Sequence, residues 1–141
     1  MTKSLTNINV LDFSHALSGP FCSMLLAELG ANIIKIEPPH GDHFRPANGG
    51  ATFAVVNRNK RSLCLDLKQP SASIIMERLI SKCDVILENF TPGTMKRLGY
   101  HYEALKKMKP DIIYASISGF GSTGPYKDLK GYDAVAQAMS G

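Results

Sequence analysis

The sequence contains no tryptophan and only three cysteines, and no apolar run approaches the roughly 20 residues that a membrane-spanning helix needs. Cys22, Cys64 and Cys83 are scattered and form no C-x-x-C pair, which excludes a disulfide scaffold, argues against a structural zinc site and suits a reducing compartment. The first seven residues lack the apolar segment of a secretory signal. We therefore expect a cytoplasmic protein, or one of an organelle matrix if a presequence has been removed, with no metal and no membrane partner.

Neither sign of charge is in large excess, because 16 Lys and Arg face 12 Asp and Glu, a net charge of +4. This excess fits an anionic small ligand as well as it fits nucleic acid. The sharpest basic cluster, residues 57–61 with Lys68 further on, either clamps phosphates or forms a solvated loop. A nucleic-acid surface would interleave aromatic residues with a longer basic stripe. We therefore expect no nucleic-acid partner, although a nucleic-acid-binding domain using Arg58 to Arg61 stays open as a rival.

The hydrophobic pattern of the 141 residues alternates between strand-like runs and helical stripes. The strand-like runs lie at residues 8–13, 31–36, 62–67, 84–88 and 112–117. Helices are predicted at residues 18–29, 70–79, 92–98, 102–108 and 132–139. Because the strands are rich in Ile, Val and Leu, the pattern predicts a single α/β domain with an open, mostly parallel sheet and helices on both faces.

Two of these helices carry the apolar spacing of an amphipathic helix, which predicts that the spaced residues are buried. The stripes are Cys22, Leu25, Leu26 and Leu29, and Ala72, Ile75, Met76 and Leu79. We expect Cys22 to be inert packing. A further stripe at Tyr132, Val135, Ala136 and Met139 is still running at Gly141, so we expect the chain to be a fragment of a longer protein or to pair with a surface elsewhere.

Ligands of parallel α/β sheets bind beyond the carboxyl ends of the strands. The candidate loops are therefore those after Phe13, Glu37, Leu67, Glu88 and Ser118. Residues 37–61 show little periodic apolar content, and a connection of this length is typical of a functional segment. The first turn has no G-x-G-x-x-G and its Pro20 has no N–H, so dinucleotide binding is disfavoured.

Several side chains at these strand ends each allow a functional and a structural interpretation. His15 is either a base or, as we prefer, a residue with local hydrogen bonds. Asn89 can hydrogen-bond a ligand and Phe90 can stack on a base or cover a pantetheine arm, but both also suit a plain turn. The glycines of residues 119–124 permit a close backbone approach to a ligand or merely a flexible loop.

Taken in order, the segments of the chain resemble the start of a family III CoA-transferase, the CaiB/BaiF family. The resemblance covers nearly the whole chain. The residues that carry it are 11–13, 18–22, 29–42, 59–68, 84–93, 118–121, 124–126 and 131–133. It implies that residues 1–141 are the N-terminal, Rossmann-like part of the large domain of a longer enzyme that works as an interlocked homodimer.

The chemistry that the resemblance implies is transfer of CoA from an acyl-CoA donor to a carboxylate acceptor. An aspartate attacks the thioester, and the resulting anhydride becomes an aspartyl-CoA thioester, which passes CoA to the acceptor. That aspartate is expected beyond Gly141. The chain would therefore contain no catalytic nucleophile, would supply part of the CoA-binding surface and would be inactive alone.

The CoA contacts that the resemblance carries over lie on several loops. They are Leu17, Ser18, Leu65, Lys68, Asn89, Phe90, Thr91, Arg97, Lys130, Tyr132 and Asp133. Tyr132 and Asp133 are given supporting roles, since Asp133 would orient the nucleophile or substrate unless it only supplies charge to a helix start. The sequence departs from some members of the family at Leu17, where they have glutamine, and at Pro38, where they have a basic residue.

Related racemases that epimerise 2-methylacyl-CoA share this scaffold and use a histidine within a Gly-His-Asp triplet. The middle residue is Tyr132 in this sequence, and a phenol with an ordinary pKa near 10 is a poor base at neutral pH. The sequence thus favours a transferase over a racemase. A non-catalytic module that binds CoA or a partner remains an alternative.

Overall fold

The computed structural model describes residues 3–141, which form five strands and six helices. The strands are β1 (Asn9–Asp12), β2 (Asn32–Glu37), β3 (Arg61–Cys64), β4 (Val85–Glu88) and β5 (Ile113–Ser116). The helices are α1 (Ser18–Glu28), α2 (Ala51–Asn57), α3 (Ala72–Ile80), α4 (Thr94–Arg97), α5 (Tyr102–Met108) and α6 (Asp133–Ser140), with a 3₁₀ turn at Ala47–Gly50. No helix within this described range is long and apolar enough to cross a bilayer.

All neighbouring strands are parallel, in the order β3-β2-β1-β4-β5. The register places Val10 of β1 opposite Ile33 of β2 on one side and Val85 of β4 on the other. The predicted α/β fold, an open and parallel Rossmann-like sheet, is confirmed. From β1 the chain adds β2 and then β3 on one side of the sheet. It then crosses back to add β4 and β5 on the other side of β1, so the strand order reverses between β1 and β4.

Two apolar clusters lie on opposite faces of the sheet, and alternating strand residues contribute to them in turn, because successive side chains of a strand point to opposite sides. Val10 packs with Ala27 of α1, whereas its neighbour Leu11 packs with Met76 of α3 and Leu105 of α5. The sheet therefore carries helices on both faces, as predicted. Because all five strands run in the same direction, their carboxyl ends lie along one side of the molecule, between the two helix layers. We call this side the rim.

The buried face of α1 differs from the predicted stripe. Leu25 and Leu29 are 46% and 51% exposed and Cys22 is half-buried. The residues that face the sheet are Gly19, Pro20, Ser23, Met24 and Ala27. The prediction was partly wrong: Cys22 and Leu26 do pack against the core, but Leu25 and Leu29 do not. Apart from Met24, the most deeply buried residues of α1 are small or proline, which the spacing of large apolar side chains does not reveal. The half-buried Cys22 still fits a packing role, since burial and the nearby Asp12 raise the pKa of its thiol.

The second predicted stripe is only partly correct, since Ile75 of α3 is exposed and Ile80 is fully buried. The segment at residues 37–61 also contains the seven-residue helix α2, which the sequence pattern did not predict. Only Val56 and Asn57 of α2 are buried, so the helix has too few apolar contacts to give a periodic signal.

Helix α6 follows a close approach of two backbones beyond β5. A Cβ placed on Gly119 would lie 2.3 Å from the Cα of Gly131, so neither glycine has room for a side chain. No residue of α6 is buried, and Tyr132 is 66% exposed. The predicted apolar stripe of this helix exists and faces outward.

Candidate functional site

The strand order reverses between β1 and β4, and ligands of open parallel sheets bind beyond the carboxyl ends of the strands at such a reversal. The connection from β1 leads to α1 on one face, and the connection from β4 leads to α4 on the other. We call residues 13–17 the β1–α1 turn and residues 89–93 the β4–α4 turn.

The two turns are joined by the side-chain amide of Asn89. The His15 N–H donates to Asn89 Oδ1 over 2.8 Å, and Asn89 Nδ2 donates to the His15 carbonyl over 2.8 Å and to Ser18 Oγ over 3.2 Å. The ring of Phe90 lies 5.2 Å from that of His15. The structure thus brings together three of the predicted site residues, Ser18, Asn89 and Phe90.

A buried polar network lies beneath the β1–α1 turn. Asp12 accepts hydrogen bonds from the Ser14 hydroxyl, from Ser23 Oγ at 2.5 Å and from Lys60 Nζ at 3.1 Å. Burial lowers the pKa of the Lys60 ammonium, although the Asp12 carboxylate opposes this effect. Lys60 Nζ also donates to the Pro20 carbonyl over 2.8 Å, so the network ties β1, α1 and the end of α2 together.

A second buried pair supports the same turn from the side of β2. Lys35 Nζ lies 3.0 Å from Asp42 Oδ2 and donates to the Ser14 carbonyl over 2.5 Å. His15 Nδ1 lies 3.5 Å from the same Asp42 oxygen. Burial disfavours the charged form of Asp42, but the contacts with His15, the Phe44 N–H and Lys35 outweigh it and hold the pKa of this carboxyl well below its ordinary value. The backbone of His15 is hydrogen-bonded to Asn89, whereas within residues 3–141 its Nδ1 has only this 3.5 Å contact with Asp42 and no hydrogen bond.

Glu37 at the end of β2 is held by Arg45 and Ser62. Arg45 donates through Nε and one terminal nitrogen over 2.6 and 2.7 Å, and the Ser62 hydroxyl donates over 2.7 Å. Burial would raise the pKa of Glu37, but these hydrogen bonds lower it overall. Arg45 thereby anchors the segment after β2 to the end of β2, beside Ser62 of β3.

A groove of roughly 1090 Å³ opens beside the β4–α4 turn, toward β5 and the loop after it. Its walls include Phe90, Thr91, Lys96, Tyr114 and Ser118. The pKa of Tyr114 lies well above its ordinary value, chiefly because the phenol is buried. The Glu88 carboxylate, which accepts a hydrogen bond from the Tyr114 hydroxyl, raises this pKa further. The phenol therefore stays neutral, and the groove combines aromatic walls with hydroxyl and ammonium groups.

Two further predicted residues lie beside this groove. Arg97 donates to Thr94 Oγ1 over 2.8 Å, and Thr94 Oγ1 lies 3.1 Å from Thr91 Oγ1. Arg97 and Thr91 are both exposed. The structure therefore links Thr91 and Arg97 through one intervening threonine on the first turn of α4.

The other predicted residues follow β1, β3 and β5 along the same rim. Leu17 is 56% exposed at the tip of the β1–α1 turn. Leu65 packs against the core, and its N–H donates to the Glu37 carbonyl, while Lys68 is exposed. With strands about 4.8 Å apart, β3 lies about 14 Å from β4.

The segment Lys130, Tyr132 and Asp133 is exposed near the end of β5. The Asp133 carboxylate accepts a hydrogen bond from Gln137 over 2.6 Å within α6. Among residues 3–141, no hydrogen bond or ion pair joins Lys68 or this segment to Asn89. The structure therefore places the predicted residues on one rim but brings only the central group into contact.

The basic cluster at residues 57–61 does not form the free cationic surface that a phosphate clamp needs. Arg58 pairs with Glu28 over 2.7 Å and donates to the Val55 carbonyl. Lys60 is buried against Asp12. Because the charges of Arg58 and Lys60 are paired with carboxylates of the same chain, the structure disfavours both a phosphate clamp and a nucleic-acid surface at this cluster.

The buried network of Asp12, Lys35, Lys60 and Asp42 was not identified from the sequence. One indication was present, because Lys35 interrupts an otherwise apolar strand between Ile34 and Ile36. A charge at such a position is expected to be buried with a partner. The identity of the partner depends on the fold, since Lys60 reaches Asp12 across 48 residues of sequence.

Comparison with known proteins shows matches over the whole chain. Residues 5–141 match the model of CoA-transferase family III. The chain is 46% identical over 148 residues to a formyl-CoA:oxalate CoA-transferase of Bradyrhizobium diazoefficiens, covering 100% of this chain and 35% of the relative. It is 49% identical over 138 residues to an acetyl-CoA:oxalate CoA-transferase of Acetobacter aceti, covering 94% and 36%. The chain thus spans little more than a third of the length of these relatives.

Solved structures give the same result. A hypothetical protein from Mycobacterium tuberculosis superposes with a TM-score of 0.94 at 38% identity, covering 99% of this chain and 39% of the other. A CAIB/BAIF family protein from Brucella suis superposes with a TM-score of 0.94 at 36% identity, with coverage of 99% and 39%. The fold described above is therefore that of these proteins in the matched region.

Proposed function

The chain belongs to CoA-transferase family III, and on that premise we propose that residues 1–141 are the N-terminal part of the large domain of an enzyme that transfers CoA from an acyl-CoA donor to a carboxylate acceptor. The relatives named above transfer CoA between formyl-CoA or acetyl-CoA and oxalate, as their names state. The chain supplies part of the CoA-binding surface.

The reaction follows the course of covalent catalysis by a carboxylate. An aspartate beyond Gly141 attacks the thioester carbonyl of the donor, and a mixed anhydride forms as CoA thiolate leaves. The thiolate then attacks the aspartyl carbonyl, which forms an aspartyl-CoA thioester and releases the first acid. The acceptor carboxylate attacks this thioester and expels CoA thiolate, which leaves a second mixed anhydride between the aspartate and the acceptor. The thiolate then attacks the acceptor carbonyl of this anhydride, which forms the new acyl-CoA and frees the aspartate. Because this aspartate is not among residues 1–141, the isolated chain would have no transferase activity.

The observation that carries the proposal is the contact of the β1–α1 and β4–α4 turns at the reversal of strand order. Ser18, Asn89 and Phe90 meet there, and Leu17 and Thr91 are exposed beside them. A long ligand that lies along the rim would also meet the cationic side chains Lys68, Arg97 and Lys130, which suit the phosphates of CoA. Tyr132 and Asp133 would stand at the end of the rim nearest the acyl group.

Titration calorimetry with CoA tests this proposal on the chain itself. We expect saturable binding that Lys68→Met weakens, because the substitution removes an exposed cation from the proposed surface. The matched variant Lys82→Met removes an exposed lysine that lies between α3 and β4, at the amino end of β4 and away from the rim, and should bind CoA as the wild type does. Absence of binding, or equal loss in both variants, would refute the proposed surface.

We further propose that the enzyme is a homodimer and acts in a reducing compartment such as the cytoplasm. All three cysteines are free thiols, which supports the second statement. The exposed apolar residues of α1 and α6 support association, since such surfaces are usually covered in the assembled protein. Sedimentation of the full-length enzyme as a monomer at high concentration would contradict the dimer.

A further inference from the structure

We propose that Asn89 is a positioning residue, which fixes the shape of the β1–α1 turn that CoA meets and does not itself donate a hydrogen bond to CoA. This inference rests on the proposed function for the identity of the ligand. It revises the assignment of Asn89 as a direct CoA contact that the family resemblance implies. The reasons are the hydrogen-bonding capacity of its amide and the conformation of the turn that it holds.

The donors of the Asn89 side chain are already used. An asparagine amide has two N–H donors on Nδ2, and here one bonds the His15 carbonyl while the other bonds Ser18 Oγ. Its Oδ1 accepts from the His15 N–H. The phosphates and carbonyls of CoA are hydrogen-bond acceptors, so they need donors that Asn89 does not have free. The amide instead holds the backbone of His15 at both its N–H and its carbonyl.

The turn requires such support. Ala16, next to His15, has φ of 64°. Residues other than glycine adopt this left-handed conformation at a cost in energy and keep it only when their surroundings hold them there. Asn89 supplies this restraint from the side of β4, and Lys35 supplies it from the side of β2 through the Ser14 carbonyl.

The consequence is a turn whose inner side is fixed while its outer side stays exposed. The backbone of residues 14–15 is bonded inward, whereas Leu17 at the tip and Ser18 at the start of α1 are exposed. A ligand that contacts the tip does not have to order it, and binding is tighter when this ordering cost is already met in the free protein. Asn89 therefore raises the affinity for CoA through the turn.

Amide hydrogen exchange and CoA titration of Asn89→Ala test the inference together. We expect exchange of the His15 N–H to become at least about fivefold faster, because its acceptor is lost, and the dissociation constant of CoA to rise about tenfold. The matched variant is Asn32→Ala. Its amide also makes two side-chain hydrogen bonds, to Asn9 and from Arg61, but it lies at the amino end of β2. It should change neither quantity.

A second measurement uses the wild-type chain and does not depend on the folding of a variant. The two side-chain amide hydrogens of Asn89 should exchange slowly before CoA is added, and saturation with CoA should leave their protection unchanged. Protection that appears only with CoA would show a direct contact and overturn the inference. So would unchanged His15 exchange in Asn89→Ala, or faster exchange without loss of CoA affinity. If the wild type does not bind CoA, the proposed function fails, and the exchange data still decide whether Asn89 holds the turn.

Discussion

Lys60 and Asp12, 48 residues apart in the sequence, form an ion pair of 3.1 Å in which neither side chain is more than 2% exposed. The pair joins the carboxyl end of β1 to the segment after α2, directly beneath the β1–α1 turn. A buried ion pair adds little to stability compared with apolar packing, but removing one partner leaves an uncompensated charge. The pair is therefore important for the shape of the rim.

The first prediction concerns this pair. Lys60→Met should lower the free energy of unfolding by about 3 kcal/mol, because Asp12 is left buried without its cation. The matched variant Arg58→Met breaks the exposed pair with Glu28 and should cost under about 1 kcal/mol. Urea unfolding followed by circular dichroism measures both. Equal losses in the two variants would show that Lys60 is not buried with Asp12.

The second prediction concerns the contact between α1 and the β1–α1 turn. A Cβ on Gly19 would lie 2.2 Å from the Cβ of Ser14, so Gly19→Ala should force the backbone to shift and cost about 2 kcal/mol in the free energy of unfolding. Adding Ser14→Gly removes the colliding atoms. The double variant should therefore lose less stability than the sum of the two single variants, and a strictly additive loss would contradict this close approach.

The third prediction concerns pH. The pKa of Asp42 lies below its ordinary value in the folded chain, so the unfolded chain binds the proton first as the pH falls. The stabilisation is fully present above the unfolded pKa of about 4 and is lost as the pH falls from there through the folded pKa. The difference in unfolding free energy between wild type and Asp42→Asn should therefore be constant from pH 7 to about 5 and shrink below pH 4. Urea unfolding at a series of pH values measures it, and a difference that stays constant down to pH 3 would contradict the prediction.

The elements of this fold were predictable because local chemistry marks their ends. The start of α1 is indicated by Ser18, Gly19 and Pro20. The apolar strands alternate with helices, which is the order that a parallel sheet requires. The buried face of α1 was only partly predictable, because apart from Met24 it consists of Gly19, Pro20, Ser23 and Ala27, which carry little hydrophobic signal. Large apolar residues of the same helix, such as Leu25, face outward.

The candidate site was predictable in location but not in its connections. The rule that ligands bind beyond the carboxyl ends of parallel strands identified the turns that carry Ser18 and Asn89. The pairings of Lys60 with Asp12 and of Lys35 with Asp42 depend on which strands become neighbours. A basic run such as residues 57–61 gives no indication that its lysine is directed inward.

Backbone amide chemical shifts of the chain during titration with CoA test the proposed binding surface most directly. We expect the largest changes at residues 15–18 and 89–94, which carry the two turns at the reversal of strand order. Residues 29–32 and 81–84, at the amino ends of β2 and β4, should remain unchanged. Changes confined to those amino-end residues, or no changes at saturating CoA, would contradict the account.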